Sequence, residues 1–288
     1  MTTKHIPVLL DAVLDALGDI SGQTVVDCTF GAGGYSKSFL ERGANVIAFD
    51  RDPNVVADAM DLVAEYGERF TFIPRPFSSL NELDGTVDAI VFDLGISSMQ
   101  IDVPERGFSF RADAPLDMRM SVDGMTAAEL IECSDVAKLA RIFADYGDVK
   151  KAMPLARAIK QAAPKTTFEL RDLIYNLKDI APVFQALRIA VNDEMGELER
   201  ALAAVPAHLA CGGRCVCVTF HSLEDRIVKN TFREWTTPLG DPRMPVVTSA
   251  PFCAIRAATP TDDELALNSR ARSAHMRGVV KSCQGDKQ

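Results

Sequence analysis

An α/β fold is predicted for this chain: a doubly wound, mainly parallel sheet interrupted by an all-helical insertion. Short apolar runs at Val25–Asp27, Asn45–Asp50, Phe70–Pro74 and Val87–Asp93 alternate with helical patterns in the N-terminal third. The runs are nearly continuous rather than alternating, as strands covered by helices on both faces should be. Between Thr126 and Leu177 the strand signal disappears and short helical patterns remain. A βαβ order implies a parallel sheet, so ligands should bind outside the carboxyl ends of its strands. The expected organisation is a core in two parts, 1–112 and 185–288, around a helical insertion at 113–184.

Each element has its own signal. A helix over Tyr35–Arg42 follows the first strand. Asp52 caps a helix at Pro53–Tyr66, because proline suits a first helical position whose N–H has no partner anyway. In the insertion, Thr126–Cys133 and Asp135–Tyr146 are separated by a cap-like Ser134, and another helical run spans Lys150–Ala163. Thr166 and Glu169 have capping-box spacing ahead of Leu170–Leu177. Leu187, Val191, Met195, Leu198 and Leu202 then mark one face of a long helix. Gly212-Gly213 turns into a strand at Arg214–Phe220, and Ser222–Trp235 is helical, with Ser222 as N-cap and Asp225 at the matching third position. Two last strands are expected between Val246 and Lys281, around a loop at Thr259–Ser273.

Composition sets outer bounds. The 288 residues are 47% hydrophobic and 25% charged, ordinary values for a globular chain. Seven cysteines without a C-x-x-C pair predict reduced thiols in a cytoplasm. Cys211, Cys215 and Cys217 lack the spacing and the histidine of a zinc site, so no metal is expected. No apolar run is long enough to span a membrane. A net charge of −9 argues against coating nucleic acid by bulk charge but allows a local basic groove.

The most telling segment is Val25-Val26-Asp27-Cys28-Thr29-Phe30-Gly31-Ala32-Gly33-Gly34-Tyr35-Ser36. It reads as a buried strand, a glycine-rich turn and a helix whose first N–H groups and positive dipole end face a ligand. A dinucleotide site expects G-x-G-x-x-G, and Ser36 stands at the third glycine. Asp27, inside the strand end, suits a ligand that carries an ammonium group. The turn therefore favours S-adenosylmethionine over a pyrophosphate cofactor.

Other strand ends carry polar groups. Asp50, closing the second strand, is placed to accept hydrogen bonds from ribose hydroxyls. Phe77, after the third strand, could stack on an adenine. Asp93, closing the fourth strand, could accept the N–H bonds of an exocyclic base amine and offset charge developing on its nitrogen. Residues Gln100–Arg111 and Leu116–Arg119 combine aromatics, acids and arginines as a ligand-ordered loop would. There Phe108 and Phe110 could stack a splayed base, and Arg111 or Arg119 could hold a phosphate. His221, in Phe220-His221-Ser222-Leu223-Glu224-Asp225-Arg226, sits at the end of the fifth strand. G-x-S-x-G is absent there, which disfavours a hydrolase, and His221 remains a substrate-side candidate. Arg270, Arg272 and Arg277 could form a basic rim or serve as edge-strand charges.

Together these segments resemble one family, the bacterial small-subunit ribosomal RNA (cytosine-N4)-methyltransferases, or MraW family. The similar stretches run in order from His5–Leu10, through Asp27–Ser36, Phe49–Pro53, Asp93–Gln100, Glu105–Phe110, Pro115–Met120 and Phe184–Leu198, to Phe220–Lys229 and Arg270–Ser273. The resemblance implies a Rossmann-like class I S-adenosylmethionine-dependent methyltransferase sheet with an inserted helical domain. It implies methylation of the N4 amine of a cytidine in the decoding region of 16S ribosomal RNA. The partner is then ribosomal RNA in the small subunit, in the cytoplasm, met by a monomer or homodimer. Donor contacts would fall on Gly33, Gly34, Tyr35, Asp50, Phe77, Asp93 and Gln100, with Asp93 catalytic. Phe108, Asp117, Arg119 and His221 are the substrate-side candidates.

Two departures stand out. Tyr35 occupies a position where many relatives carry histidine, which should alter a polar donor contact but not the backbone ones. Asp179-Ile180-Ala181-Pro182-Val183 lacks the histidine and Thr-Arg pair usual before Phe184, and the insertion is shortened. A cluster of Arg106, Arg111, Arg119, Arg226 and Lys229 is the expected RNA face. The rivals are a nicotinamide-dependent oxidoreductase, disfavoured by Ser36 and Asp27, and a non-catalytic ribosome-assembly factor that keeps the pocket.

Overall fold

Apolar runs become strands β1 (Thr24–Asp27), β2 (Asn45–Phe49), β3 (Phe70–Ile73), β4 (Val87–Asp93), β5 (Leu209–Thr219), β6 (Phe252–Ala258) and β7 (His275–Lys281). They form one sheet in the order β3-β2-β1-β4-β5-β7-β6. Strands β1 to β5 are parallel, whereas β7 runs antiparallel to both β5 and β6. The order reverses between β1 and β4, so their carboxyl ends flank the crevice where such sheets bind ligands. The structure, a computed structural model, describes residues 7–238 and 249–283.

The helices in chain order are α1 (Leu10–Leu17), α2 (Gly34–Glu41), α3 (Val56–Tyr66), α4 (Ser98–Asp102), α5 (Ala127–Cys133), α6 (Val136–Gly147), α7 (Ala152–Ala162), α8 (Thr167–Asp172), α9 (Ile180–Asn192), α10 (Glu194–His208), α11 (Ser222–Trp235) and α12 (Asp262–Leu267). The chain divides into two compact units. The first holds the sheet and consists of the residues up to Gly95 and from Glu197 onward; the second is Ile96–Gly196. The second unit extends on both sides of the 113–184 segment expected for the insertion.

Each unit has its own core. In the first, Val26, Ile90, Phe92, Cys215 and Cys217 of the sheet pack with Leu198 and Leu202 of α10 and Val228 and Phe232 of α11. Burying one such side chain contributes about 1.5–3 kcal/mol, enough to hold the strand ends in register. The cysteines at 215 and 217 act as small apolar residues, fully buried. In the second unit Leu139, Phe143, Ala156, Ile159, Val183 and Leu187 close a helical core.

Several local expectations change. The helix expected to run from Leu187 to Leu202 breaks at Asp193, whose left-handed φ of 48° ends α9. Gly212-Gly213 does not precede β5 but lies in an irregularity within it, where pairing with β4 jumps from Leu209 to Arg214. Asp135, not Ser134, caps α6, accepting from the Lys138 N–H at 2.7 Å. The 259–273 loop contains α12. In the tail Val246 lies outside the described residues, and β6 begins at Phe252. The expectation of seven reduced thiols is also corrected, since Cys211 and Cys283 form a disulfide. Antiparallel pairing of β5 and β7 brings them together across 72 residues of sequence, a proximity that spacing cannot reveal.

Candidate active site

The glycine turn sits at the carboxyl end of β1. Gly33, with a left-handed φ of 74°, is the N-cap of α2 and offers no capping side chain to the N–H groups of the first turn. A Cβ at Gly33 would lie 2.9 Å from the Phe30 ring, so both backbone sign and packing demand glycine here. Gly34 opens the helix.

Three acids close neighbouring strands. Asp27 is fully buried. It accepts hydrogen bonds from the Ser36 hydroxyl at 2.6 Å and the Thr29 N–H at 3.1 Å. Burial raises its carboxyl to about 6 despite those bonds. Asp50 accepts from the N–H groups of Gly31 and Asp52, both at 2.8 Å. It thereby ties the turn to the end of β2; burial raises it too, against those two bonds. Asp93 is anchored through its own N–H, which donates to Thr29 Oγ1 at 2.7 Å. Its Oδ1 is buried and has no hydrogen-bond partner among the described residues. Burial first, then the charges of Asp27 and Glu224, push this carboxyl well above the usual range. A buried, unpartnered oxygen at a strand end is costly to maintain.

The Tyr35 side chain is engaged within the protein. Its hydroxyl donates to the Val8 carbonyl, and the ring is buried. The hydroxyl is therefore spent on the segment before α1, which Glu264 holds from another side by accepting the Leu9 N–H at 2.6 Å. Only the Tyr35 backbone is left to a ligand. Phe77 packs edge-on against Phe92, the residue before Asp93, with ring centroids 5.8 Å apart.

His221, not Ser222, is the N-cap of α11, in a capping box with Glu224 rather than Asp225. The Glu224 N–H donates to Nδ1 at 3.4 Å, and Glu224 Oε2 accepts from the N–H groups of Phe220 at 2.8 Å and His221 at 3.2 Å. Glu224 Oε1 lies 3.0 Å from Nε2, within ion-pair distance but without hydrogen-bond alignment. Histidine takes the cap because its ring reaches the third N–H as a serine hydroxyl would. Asp225 instead forms a bidentate pair with Arg277, at 2.7 and 2.9 Å. That removes Arg277 from the proposed basic rim, while the Arg270 side chain and His5 lie outside the description.

The remaining candidates lie in the second unit. Gln100 is buried and completes a capping box with Ser97 at the start of α4. Asp117 and Arg119 form a bidentate pair at 2.8 Å in both arms, and Arg119 also donates to the Val122 carbonyl at 2.7 Å. Burial alone would raise the Asp117 carboxyl, but the bonds from Arg119 bring it below the usual range. Arg106 donates to the carbonyls of Arg119 and Met120. Arg106 and Arg119 thus both serve the structure of one loop. Phe110 packs edge-on against Phe184 at 5.4 Å, and Phe108 is half-buried on the same core. A Cβ at Gly107 would fall 2.4 Å from the Pro115 carbonyl oxygen, which explains the glycine of this loop.

Sequence reasoning missed two residues that hold these parts. Glu224 is one, and its capping-box spacing to His221 was the available signal. Asn192 is the other: its amide accepts from the Met120 N–H and donates to the Met118 carbonyl, each at 2.7 Å. No local pattern announces that contact.

Residues 2–282 match the model of the MraW methylase family. Among curated proteins, the chain is 45% identical to "Ribosomal RNA small subunit methyltransferase H" of Sinorhizobium fredii, over 97% of this chain and 88% of that protein. It is 44% identical to the protein of the same name from Mesorhizobium japonicum, over 98% and 88%. Among solved structures, an rRNA methylase from Streptococcus thermophilus aligns with a TM-score of 0.45 and 13% identity, covering 95% of this chain and 94% of that one. No helix among the described residues is long and apolar enough to cross a membrane.

Proposed function

This chain belongs to the MraW methylase family, and from that premise we propose that it methylates the exocyclic N4 amine of one cytidine in the decoding region of small-subunit ribosomal RNA, with S-adenosylmethionine as donor. The observation that carries the reading is the Asp93 carboxylate, its Oδ1 buried and unpartnered at the end of β4. The ribosomal RNA substrate is taken from the names of the relatives, and the cytidine N4 position and the decoding region from the family resemblance; the Asp93 chemistry fits an exocyclic base amine.

The residues of the first unit fit the donor. Asp27 and the uncapped start of α2 suit an amino-acid end with its ammonium and carboxylate. Asp50 keeps lone pairs beyond the two backbone bonds it accepts, and those suit ribose hydroxyls. Bound there, the donor supplies an electrophilic methyl group beside a sulfonium charge.

The chain's own part is to prepare the nucleophile. An exocyclic base amine is weakly nucleophilic because its lone pair is delocalised into the ring. Asp93, accepting its N–H bonds, localises that pair and offsets positive charge developing on nitrogen. The carboxylate form is needed, and burial opposes it; a cation brought close favours it again. Asp93 is then the first acceptor for the proton that the methylated nitrogen releases.

Two measurements test this. Calorimetry should show that S-adenosylhomocysteine binds while NAD does not; the reverse would favour an oxidoreductase. Mass mapping of small-subunit RNA from cells with and without the gene should show one cytidine lighter by one methyl group when the gene is absent. Identical maps would leave a non-catalytic assembly role as the better account.

A further inference from the structure

Arg106 and Arg119 of the expected RNA face also make structural contacts, and an RNA substrate calls for further cations. The second unit holds another set. From Val149 to Phe168 the chain carries no acidic residue, while Lys150, Lys151, Arg157, Lys160 and Lys165 fall within that stretch. In a protein with 40 acids and a net charge of −9, such a gap is a local reversal of sign.

The structure sorts these cations in two. Lys160 donates to the carbonyls of Ile131 and Glu132, and Lys165 pairs with the Glu132 carboxylate. Lys160 thus ties α7 to the end of α5, and Lys165, in the segment between α7 and α8, pairs there too. Lys150, Lys151 and Arg157 are exposed and have no ion pair or side-chain hydrogen bond among the described residues. Ala152, Ala156 and Ile159 form the buried face of α7, which leaves Met153 and Arg157, four residues apart, on its outer face. Met153 is 46% exposed there.

The placement of the lysines is also unfavourable for the helix itself. Lys151 is the N-cap of α7, makes no capping bond, and no acid lies in the first turn. Cations at the positive end of a helix dipole destabilise it, and nature usually places acids there. The neighbouring helices follow that rule: α5 begins with Thr126 and Glu129, α6 with Asp135, α8 with Thr166 and Glu169.

We propose that Lys150 and Lys151, at the entry to α7, and Arg157 on its outer face form a phosphate-contacting surface that docks the RNA backbone of the substrate. The inference rests on the proposed RNA methylation and says which face of the second unit meets the RNA. The surface contacts phosphates and carries no base specificity, so its contribution should be electrostatic and salt-sensitive. The alternative occupant is an acidic protein of the same particle.

The test uses unmethylated small ribosomal subunits, and the protein-free RNA extracted from them, with the full-length protein. In the triple variant Lys150→Gln/Lys151→Gln/Arg157→Gln, the slope of log Kd against log salt should fall by about two to three on both probes. Affinity for S-adenosylhomocysteine should stay within about threefold, a range of less than 1 kcal/mol, showing that the first unit is intact. A control variant, Arg233→Gln/Arg256→Gln, should leave the slope unchanged. Arg157→Lys should retain most of the slope that Arg157→Gln loses, because it keeps the charge. A triple variant with the wild-type slope on both probes overturns the proposal. So does a slope that falls on the particle but not on free RNA, which would point to a protein contact. Wild-type protein that neither binds nor methylates the RNA would overturn the proposed function together with this surface, whereas an active wild type beside an unaffected triple variant removes the surface alone.

Discussion

The Ser36 hydroxyl donates to Asp27 Oδ2 across 2.6 Å beneath the glycine turn, and both residues are fully buried. The serine that spoils a dinucleotide fingerprint is therefore the group that keeps a buried acid hydrogen-bonded. Ser36→Ala should cost about 1.5–3 kcal/mol at pH 7, where the acceptor is charged. In urea unfolding the loss should shrink to about 1 kcal/mol near pH 4. A loss that does not vary with pH would mean that the bond to the charged form contributes nothing special.

Asp27 itself should shape the stability profile. Burial lifts its carboxyl from 3.8 to about 6 in the folded protein. A raised carboxyl favours the folded state only while protonated, so this contribution is complete below pH 3.8 and is lost as the pH rises through about 6. The full swing is about 3 kcal/mol. Asp27→Asn, which keeps an acceptor for Thr29 and can donate to Ser36, should gain on the wild type across that window. Parallel profiles for the two proteins would contradict this.

Ligand binding should follow the opposite trend. If the Asp27 carboxylate receives the ammonium of the donor, S-adenosylhomocysteine should bind more weakly at pH 5 than at pH 7, by up to about tenfold per pH unit below the carboxyl's midpoint. Asp27→Asn should bind weakly at both. Titration calorimetry decides it, and a pH-independent affinity in the wild type would place the ammonium elsewhere.

Asp93→Asn should lower kcat by about 10²–10³-fold while S-adenosylhomocysteine affinity stays within about threefold, under 1 kcal/mol. The amide can still accept one bond but carries no charge to offset that on nitrogen. Unchanged turnover would take Asp93 out of catalysis.

Tyr35→Phe separates anchoring from donor contact. The hydroxyl holds the Val8 carbonyl, so its removal should cost about 1 kcal/mol of stability, with little change in donor affinity. A collapse of donor affinity with stability intact would show that the hydroxyl serves the ligand instead.

The central strands were legible because they are buried on both faces and spell their burial as apolar runs, such as Ala89–Phe92. The turn at Gly31–Gly34 was legible because Gly31 and Gly33 hold the left-handed backbone that glycine accepts without strain. Contacts made across the fold were not. Asn192 clamps Met118 and Met120 from more than 70 residues away, and the Cys211–Cys283 bond depends on how β7 pairs with β5. Local competition misled the reading as well. Ser222 is the better cap by type, yet His221 takes the position because Glu224, three residues on, answers it from a buried site. The pairing of Arg119 with Asp117, two residues before it, was not read from the sequence either.

Transfer of labelled methyl by the purified protein tests the chemistry most directly. Small subunits from cells lacking the gene, incubated with isotopically labelled S-adenosylmethionine and digested to nucleosides, should yield label in N4-methylated cytidine at one site, and Asp93→Asn should yield almost none. Label on a ring carbon, on a ribose hydroxyl or on another base would contradict the account, as would equal labelling by the Asp93 variant.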